Sequence, residues 1–357
     1  MRAIDLDSHS NPKRQDYEIE PEYAHLKPRS HVDPKGYRRQ FFDQQLWSIT
    51  EPASTSWGKA SSDSALRYDL IKAAGVDTQF ITAGRVSGFC YTDAKVGAAF
   101  CRAYNDFLYR NFMKPYPDTF IGVPQLPFQD ISEAIAELHR CVHELGMHTF
   151  VMPTNWNGID MADTGWWNFY EKASEMGING ILVHIDSLPP YASWVGKERL
   201  KILGPDGSTG RRILSHPFEY STVIVNSIFG GMLDEFPDLR FAFLETGAEY
   251  AIVLKHRLNE NLAHVEYLTE MIKHPVEWYF ERFYFPVDPF SLTDTSPLQY
   301  AIQELGAEQL FLGSDFPHHD GDLSPFRMVK ELSDLPAETK DKILGANISK
   351  LMSGKLY

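Results

Sequence analysis

Asp7 and His9 stand in IDLDSH near the N-terminus, His184 in GILVHID and Glu245 in LRFAFLETG. Asp315 and His318 stand in LFLGSDFPHHDG, with His319 and Asp320 just beyond. Carboxylate oxygen and imidazole nitrogen are ligand types that zinc, manganese, iron and cobalt accept. Taken singly, each residue has an ordinary explanation. His184 on an apolar run would be a hydrogen-bonded core histidine, and Asp315 before Phe-Pro would be a turn or cap. Taken together, they end apolar runs that show no lysine or arginine at neighbouring inward positions. An unpaired buried carboxylate costs several kcal/mol, so the missing positive charge is most simply a bound cation. A divalent metal site is the expected chemistry.

Residues so far apart in the chain need a fold that gathers strand ends. The runs AIDLD (3–7), QFITA (79–83), FIGVPQL (120–126), TFVMPT (149–154), GILVHI (180–185), RFAFLE (240–245), RFYFPV (282–287) and QLFLGSD (309–315) read as eight strands. Each is almost continuously apolar, as parallel strands buried on both faces should be. Between them lie helical patterns at 64–75, 95–114, 130–145 and 248–272. Asp130 with Glu133 forms a capping-box pattern, and Gly146 stops that helix. Eight strand–helix alternations predict an α/β chain folded as a (β/α)8 TIM barrel. A doubly wound sheet is the rival, but no GxGxxG follows a first strand. Residues 1–357 are taken as one domain. Loop-like insertions at about 10–62 and 187–217 are placed on the C-terminal rim, over the active site. If strand one is regular, Asp5, Asp7 and His9 share one face while Ile4 and Leu6 pack on the other.

Composition narrows the partners. A net charge of −14 argues against nucleic acid or an anionic membrane surface, since both are polyanions. At 43% hydrophobic and 23% charged residues, the chain is ordinary for a soluble enzyme, with a small molecule as its expected partner. No run of about 18 apolar residues is present to span a membrane. The start MRAIDLDSHS lacks an apolar signal segment. The three cysteines form no CxxC pair, so a reducing cytoplasm is the expected setting.

The set IDLDSH, LVHID, LRFAFLETGAEY and FLGSDFPHHDG resembles the amidohydrolase superfamily. It is most similar to the branch of aminocarboxymuconate-semialdehyde decarboxylase and the resorcylate-type decarboxylases, with FPDLRFAF (236–243) and GSDFP the strongest local matches. The resemblance implies a distorted, metal-dependent-hydrolase-type barrel with one or two divalent ions (Zn, Mn or Fe) at its mouth. It implies non-oxidative decarboxylation or hydrolysis of a small organic acid, expected to be aromatic. Carried over by position, Asp7 stands where the first strand-one histidine would be, and His9 matches the second. His184 matches the strand-five ligand, Asp315 the strand-eight ligand, and Glu245 replaces the strand-six catalytic histidine. The family position gives Asp315 a part in proton transfer. Glu245 is either a further ligand or an acid/base, and His318 orients substrate or shuttles a proton.

The two departures, Asp7 and Glu245, carry a rival reading. Three carboxylates (Asp7, Glu245, Asp315) and three histidines (His9, His184, His318) would suffice for two irons, and the pattern is similar to di-iron monooxygenases on the same barrel. A barrel that binds a ligand without chemistry is the third reading, and the intact ligand set argues against it. A homodimer is expected from the resemblance alone.

Other residues carry less. Ser8 and Ser314 sit beside acids, but no GxSxG elbow exists. Cys90 and Cys101 are read as inert thiols. His139, His143, His148, His256 and His264 are read as surface histidines, because the glutamate of HExxH is absent from 139–143. Phe41, Phe42, Trp47, Trp57 and Trp194 could stack on a substrate, with loop packing the simpler use.

Overall fold

A computed structural model describes residues 2–34, 38–42, 45–50, 56–84, 93–156, 158–185, 209–287, 294–318 and 321–352. All eight apolar runs form parallel strands. Strand one is split into Ile4–Asp5 and His9–Ser10, and strand two is Thr78–Ala83. Strands three to five are Phe120–Gly122, Val151–Pro153 and Gly180–His184. Strands six to eight are Arg240–Phe243, Phe283–Val287 and Leu310–Leu312. Ladders join one to two, two to three, and four through eight in sequence. Strand eight returns to strand one through a parallel bridge, Ser8 to Phe316, and the bond Leu6 N–H to Leu312 O at 3.2 Å. Among the described residues no ladder joins strands three and four, which is where the barrel is distorted.

One apolar cluster draws residues from every strand: Ile4 and Leu6, Phe80, Val123, Val151, Leu182, Ala242 with Leu244, Tyr284 and Phe311. This is the filled interior expected of a barrel. Ile348 and Leu351 of the helix Asn347–Leu351 join it. A second and larger cluster lies between strands and helices, and takes the alternate residues Ile81, Leu126, Met152, Val183, Phe243, Phe285 and Leu312.

Strand one does not alternate as its sequence suggests. Ile4 and Leu6 face the interior, and Asp5 faces away from it. Register explains this. Asp5 pairs with Gln79 and His9 with Thr82, so strand one spends four steps where strand two spends three. That extra residue is a bulge, and a one-residue slip turns every later side chain to the other face. Leu6 and Asp7 therefore both point inward, and His9 follows.

The predicted helices form with adjusted ends. Asp130 caps Ile131–Leu145 by accepting from the N–H groups of Ser132 and Glu133, and Gly146 ends it at φ +69°. The 248–272 pattern yields Glu249–His264 and a separate turn Glu266–Thr269, divided at the extended Val265. The first rim insertion is more ordered than its composition suggests. It holds an antiparallel sheet of Arg29–Val32, Arg38–Phe42 and Gln45–Thr50. The second ends earlier than expected, since the helix Thr209–Phe229 starts inside it, with Pro217 accommodated. Among the described residues, no helix is long and apolar enough to cross a membrane.

Candidate metal centre

All six candidate ligands meet at the C-terminal mouth. Donor atoms of Asp7, His9, His184 and Glu245 lie within 4.8 Å of one another, and so do those of His9, Glu245, Asp315 and His318. His9 Nε2 is the hub, 3.0 Å from Asp315 Oδ1, 3.3 Å from Glu245 Oε1 and 3.4 Å from Asp7 Oδ1. His184 Nε2 is 3.2 Å from Glu245 Oε1, and His318 Nδ1 is 2.6 Å from Asp315 Oδ1. The His318 ring stacks on His9 at 4.4 Å.

The backbone aims these groups. His184 is the last residue of a regular strand, two beyond the inward Leu182. Glu245 and Asp315 both take left-handed backbone, φ +56° and +53°, in the region that non-glycine residues seldom occupy. Such strain persists only where surrounding contacts enforce it. Around Asp315, the N–H groups of Ser314 and Asp315 donate to Asp7 O at 3.2 and 2.9 Å, locking strand eight to strand one. Around Glu245, His216 Nδ1 donates to its carbonyl at 3.2 Å, and Tyr220 donates to Leu244 O at 2.8 Å.

The donor set fits a divalent cation. Asp7 Oδ1, His184 Nε2, Asp315 Oδ1 and His318 Nδ1 are all buried and, among the described residues, have no hydrogen-bond partner. These atoms crowd within ion-pair distance of one another, so their lone pairs face shared space. Both inner histidines are oriented from behind. His9 Nδ1 faces Ala83 O at 3.1 Å and Thr82 Oγ1 at 2.8 Å, and His184 Nδ1 faces Ile185 O at 2.6 Å. A carbonyl acceptor assigns the proton to Nδ1 and leaves Nε2 as the free base, as a metal-binding histidine requires.

Electrostatics agree with a missing positive charge. Among the described residues, the ion pairs of Asp7, Glu245 and Asp315 are with histidines alone. Burial, aided by the Glu245 and Asp315 charges, pushes the Asp7 carboxyl up to about 8 against the pull of His9 and His184. Burial works against protonated His9, yet Asp315, Glu245 and Asp7 hold its pKa well above the ordinary value. Burial would raise Glu245, but His184 and His9 keep it well below the usual carboxylate range.

Asp5, which the sequence set beside Asp7, belongs to a separate layer. It accepts from Gln79 Nε2 at 2.7 Å and from Ser314 Oγ at 2.6 Å. Gln79 Oε1 in turn accepts from Arg67 Nε at 2.6 Å, and Arg67 donates to His9 O and Ser8 Oγ, both at 2.7 Å. Arg67 is fully buried on the helix Ser64–Ala73. This chain of bonds fixes the bulge from behind. The sequence reading missed Arg67, because an arginine on an amphipathic helix ordinarily marks the wet face. It also missed His216, Glu219 and Tyr220. Their i, i+3, i+4 spacing was the available signal, masked by the neighbouring Pro217.

Gly313 stands inward beside Asp7. A β-carbon there would lie 2.7 Å from Asp7 Cβ, too close for either to stay. Gly313→Ala is expected to displace Asp7 and weaken Mn(II) binding ~10-fold or more, measured by titration calorimetry. Unchanged affinity would show that Asp7 is not a ligand.

The remaining candidates fall elsewhere. Cys101 and Cys141 are buried thiols. His139, His143, His148, His256 and His264 are exposed, as expected. Phe41 stacks on His31 at 5.3 Å within the rim sheet. Cys90, Trp194, His319 and Asp320, and the side chains of Phe42, Trp47 and Trp57, lie outside the described residues.

A family model for amidohydrolases, Amidohydro_2, matches residues 7–352. The chain belongs to this amidohydrolase family. Among its relatives is the 2-amino-3-carboxymuconate-6-semialdehyde decarboxylase of Dictyostelium discoideum, 26% identical over 65% of this chain and 60% of that protein. The matched stretch thus covers less than two thirds of that relative. The gamma-resorcylate decarboxylase of Polaromonas sp. is 25% identical over 72% of this chain and 77% of its own length. A solved 5-carboxyvanillate decarboxylase from Novosphingobium aromaticivorans, with bound manganese and a substituted nitrobenzoic acid, superposes with TM-score 0.73 at 17% identity. That match covers 99% of this chain and 97% of the other. Family membership and the TIM-barrel class are as the sequence led us to expect.

Proposed function

We propose that this chain is a metal-dependent carbon–carbon lyase that removes CO2 from a small aromatic acid, working as a single barrel domain. The observation that carries the reading is the convergence of buried carboxylate and imidazole donors whose lone pairs lack partners. Decarboxylase relatives support it. Asp7, His9, His184, Glu245 and Asp315 would hold the ion, with His318 beside Asp315 in the same cluster. A divalent cation there supplies positive charge to a substrate carboxylate or phenolate oxygen while the C–C bond breaks.

The chain's own residues supply the rest. Losing CO2 leaves an electron pair on the ring carbon, which must take a proton. Asp315 and His318 form a close pair, and the His318 side chain is 26% exposed, so it can pass protons between Asp315 and solvent. Glu245, held by His184 and His9, stays ionised and acts as a ligand rather than a donor. The rival di-iron monooxygenase reading draws no support from the relatives. One experiment separates the two. Metal-depleted protein reloaded with Mn(II) is expected to release CO2 from 2,6-dihydroxybenzoate or 5-carboxyvanillate without consuming O2. Two irons per chain and O2 uptake, with no CO2 from either acid, would sink the lyase reading. A homodimer is the expected assembly, checked by light scattering.

Metal binding should depend on pH in a stated direction. The Asp7 carboxyl is pushed up to about 8, so it holds a proton at neutral pH in the metal-free protein, and the raised pKa of His9 favours its protonated form as well. Binding must expel those protons. Apparent Mn(II) affinity is therefore expected to climb with pH from about pH 6 through about pH 8, as Asp7 gives up its proton. Calorimetry in two buffers of different ionisation enthalpy should register proton release, and a flat profile would contradict it.

A further inference from the structure

Strand three ends in an anomaly. The strand itself stops at Gly122, and the bond from Val123 N–H to Ile81 O carries its path one residue further. Ile121 packs on the interior cluster, Gly122 faces Met113 and Met147, Val123 joins the interior and Leu126 joins the outer layer. Continuing the alternation from Val123 to Leu126 places Gln125 on the inward side, two residues above Val123, at the mouth. Strand-two register sets its height. Ile81 pairs with Gly122, so Thr82, the neighbour of His9, is level with Val123, and Gln125 stands one inward position above the metal layer.

Gln125 is 1% exposed, and among the described residues neither its Nε2 nor its Oε1 has a hydrogen-bond partner. Burying an amide unpaired is costly. Its backbone, by contrast, is clamped on both sides. Asn105 donates Nδ2 to Gln125 O at 2.9 Å and accepts from Gln125 N at 2.8 Å. Asn105 also donates to Glu137 Oε1 at 2.7 Å, and Arg140 grips both oxygens of Glu137 at 2.8 Å. A rigid backbone beneath an unsatisfied buried amide is the arrangement of a preorganised ligand contact.

We propose that Gln125 is a specificity-determining residue, whose amide receives a neutral substituent of the aromatic acid that both donates and accepts a hydrogen bond, a ring hydroxyl. The amide is uncharged, so it selects a neutral group and leaves the carboxylate to the cation. The proposal rests on the lyase reading for the identity of the ligand.

The test uses Mn(II)-loaded protein and needs no turnover. Benzoate and the three monohydroxybenzoates are titrated into wild type and Gln125→Met, a variant of similar shape. Wild type is expected to bind at least one hydroxybenzoate ~10-fold or more tightly than benzoate. Gln125→Met should bring that ratio to about 1 while Mn(II) and benzoate affinities stay put. A second reading is thermal. Removing an unpartnered amide should raise the Tm of the ligand-free variant by roughly 1–3 °C, whereas removing a structural hydrogen bond would lower it. A preserved hydroxyl preference, no preference in wild type, or a fall in Tm each overturns the proposal. Should no benzoate bind at all, the lyase reading fails separately, and the Tm shift alone decides whether Gln125 is held unpaired for a ligand.

Discussion

Replacing His184 with alanine is expected to weaken Mn(II) binding more than ~10²-fold and abolish CO2 release. The size of the effect follows from where this imidazole stands. It ends a strand paired on both sides, to strand four and to strand six. Its Nδ1–H is bound to Ile185 O, so Nε2 has one direction available. No neighbour can replace it, because Val183 packs in the outer layer. The loss also reaches Glu245, whose Oε1 lies 3.2 Å from His184 Nε2 and loses that neighbour. Metal content by mass spectrometry and unchanged circular dichroism would establish that the loss is local. A variant that retains stoichiometric metal and turnover would remove His184 from the centre.

Asp315→Asn is expected to retain part of the metal and lose activity by ~10²-fold or more. The variant is clean for a backbone reason. Asp315 has φ +53°, and asparagine is among the few residues that visit this region readily, so the chain should keep its path. Shape and one carbonyl donor remain, while the negative charge and the ability to carry a proton disappear. His318, 2.6 Å away, then has no acid to relay to. The acidic limb of the rate–pH profile should change along with the rate. Full activity in Asp315→Asn would show that the proton comes from elsewhere, with His318 the next group to replace.

The eight strands were legible because each is a short apolar run bounded by polar residues, and a barrel buries both faces of every strand. Strand ends shifted by one to four residues, strand three stopping at Gly122 and strand eight at Leu312, and Ala248–Ile272 divided at Val265, which no local pattern announced. The helix face of His216 and Tyr220 was lost for an opposite reason. His-Pro in a stretch rich in glycine and serine reads as a loop, and only packing against strand ends shows that these polar groups have partners.

The six candidate ligands and their strand positions were legible in the sequence, since acids and histidines that end apolar runs have nowhere to go but the mouth of a closed sheet. Which of two neighbouring aspartates enters that mouth was decided by tertiary structure. IDLDSH gives Asp5 and Asp7 the same local grammar. The register against strand two inserts one extra residue between Asp5 and His9, and the buried Arg67–Gln79–Asp5 chain secures it. A bulge is a property of two paired strands, so no reading of one strand alone contains it.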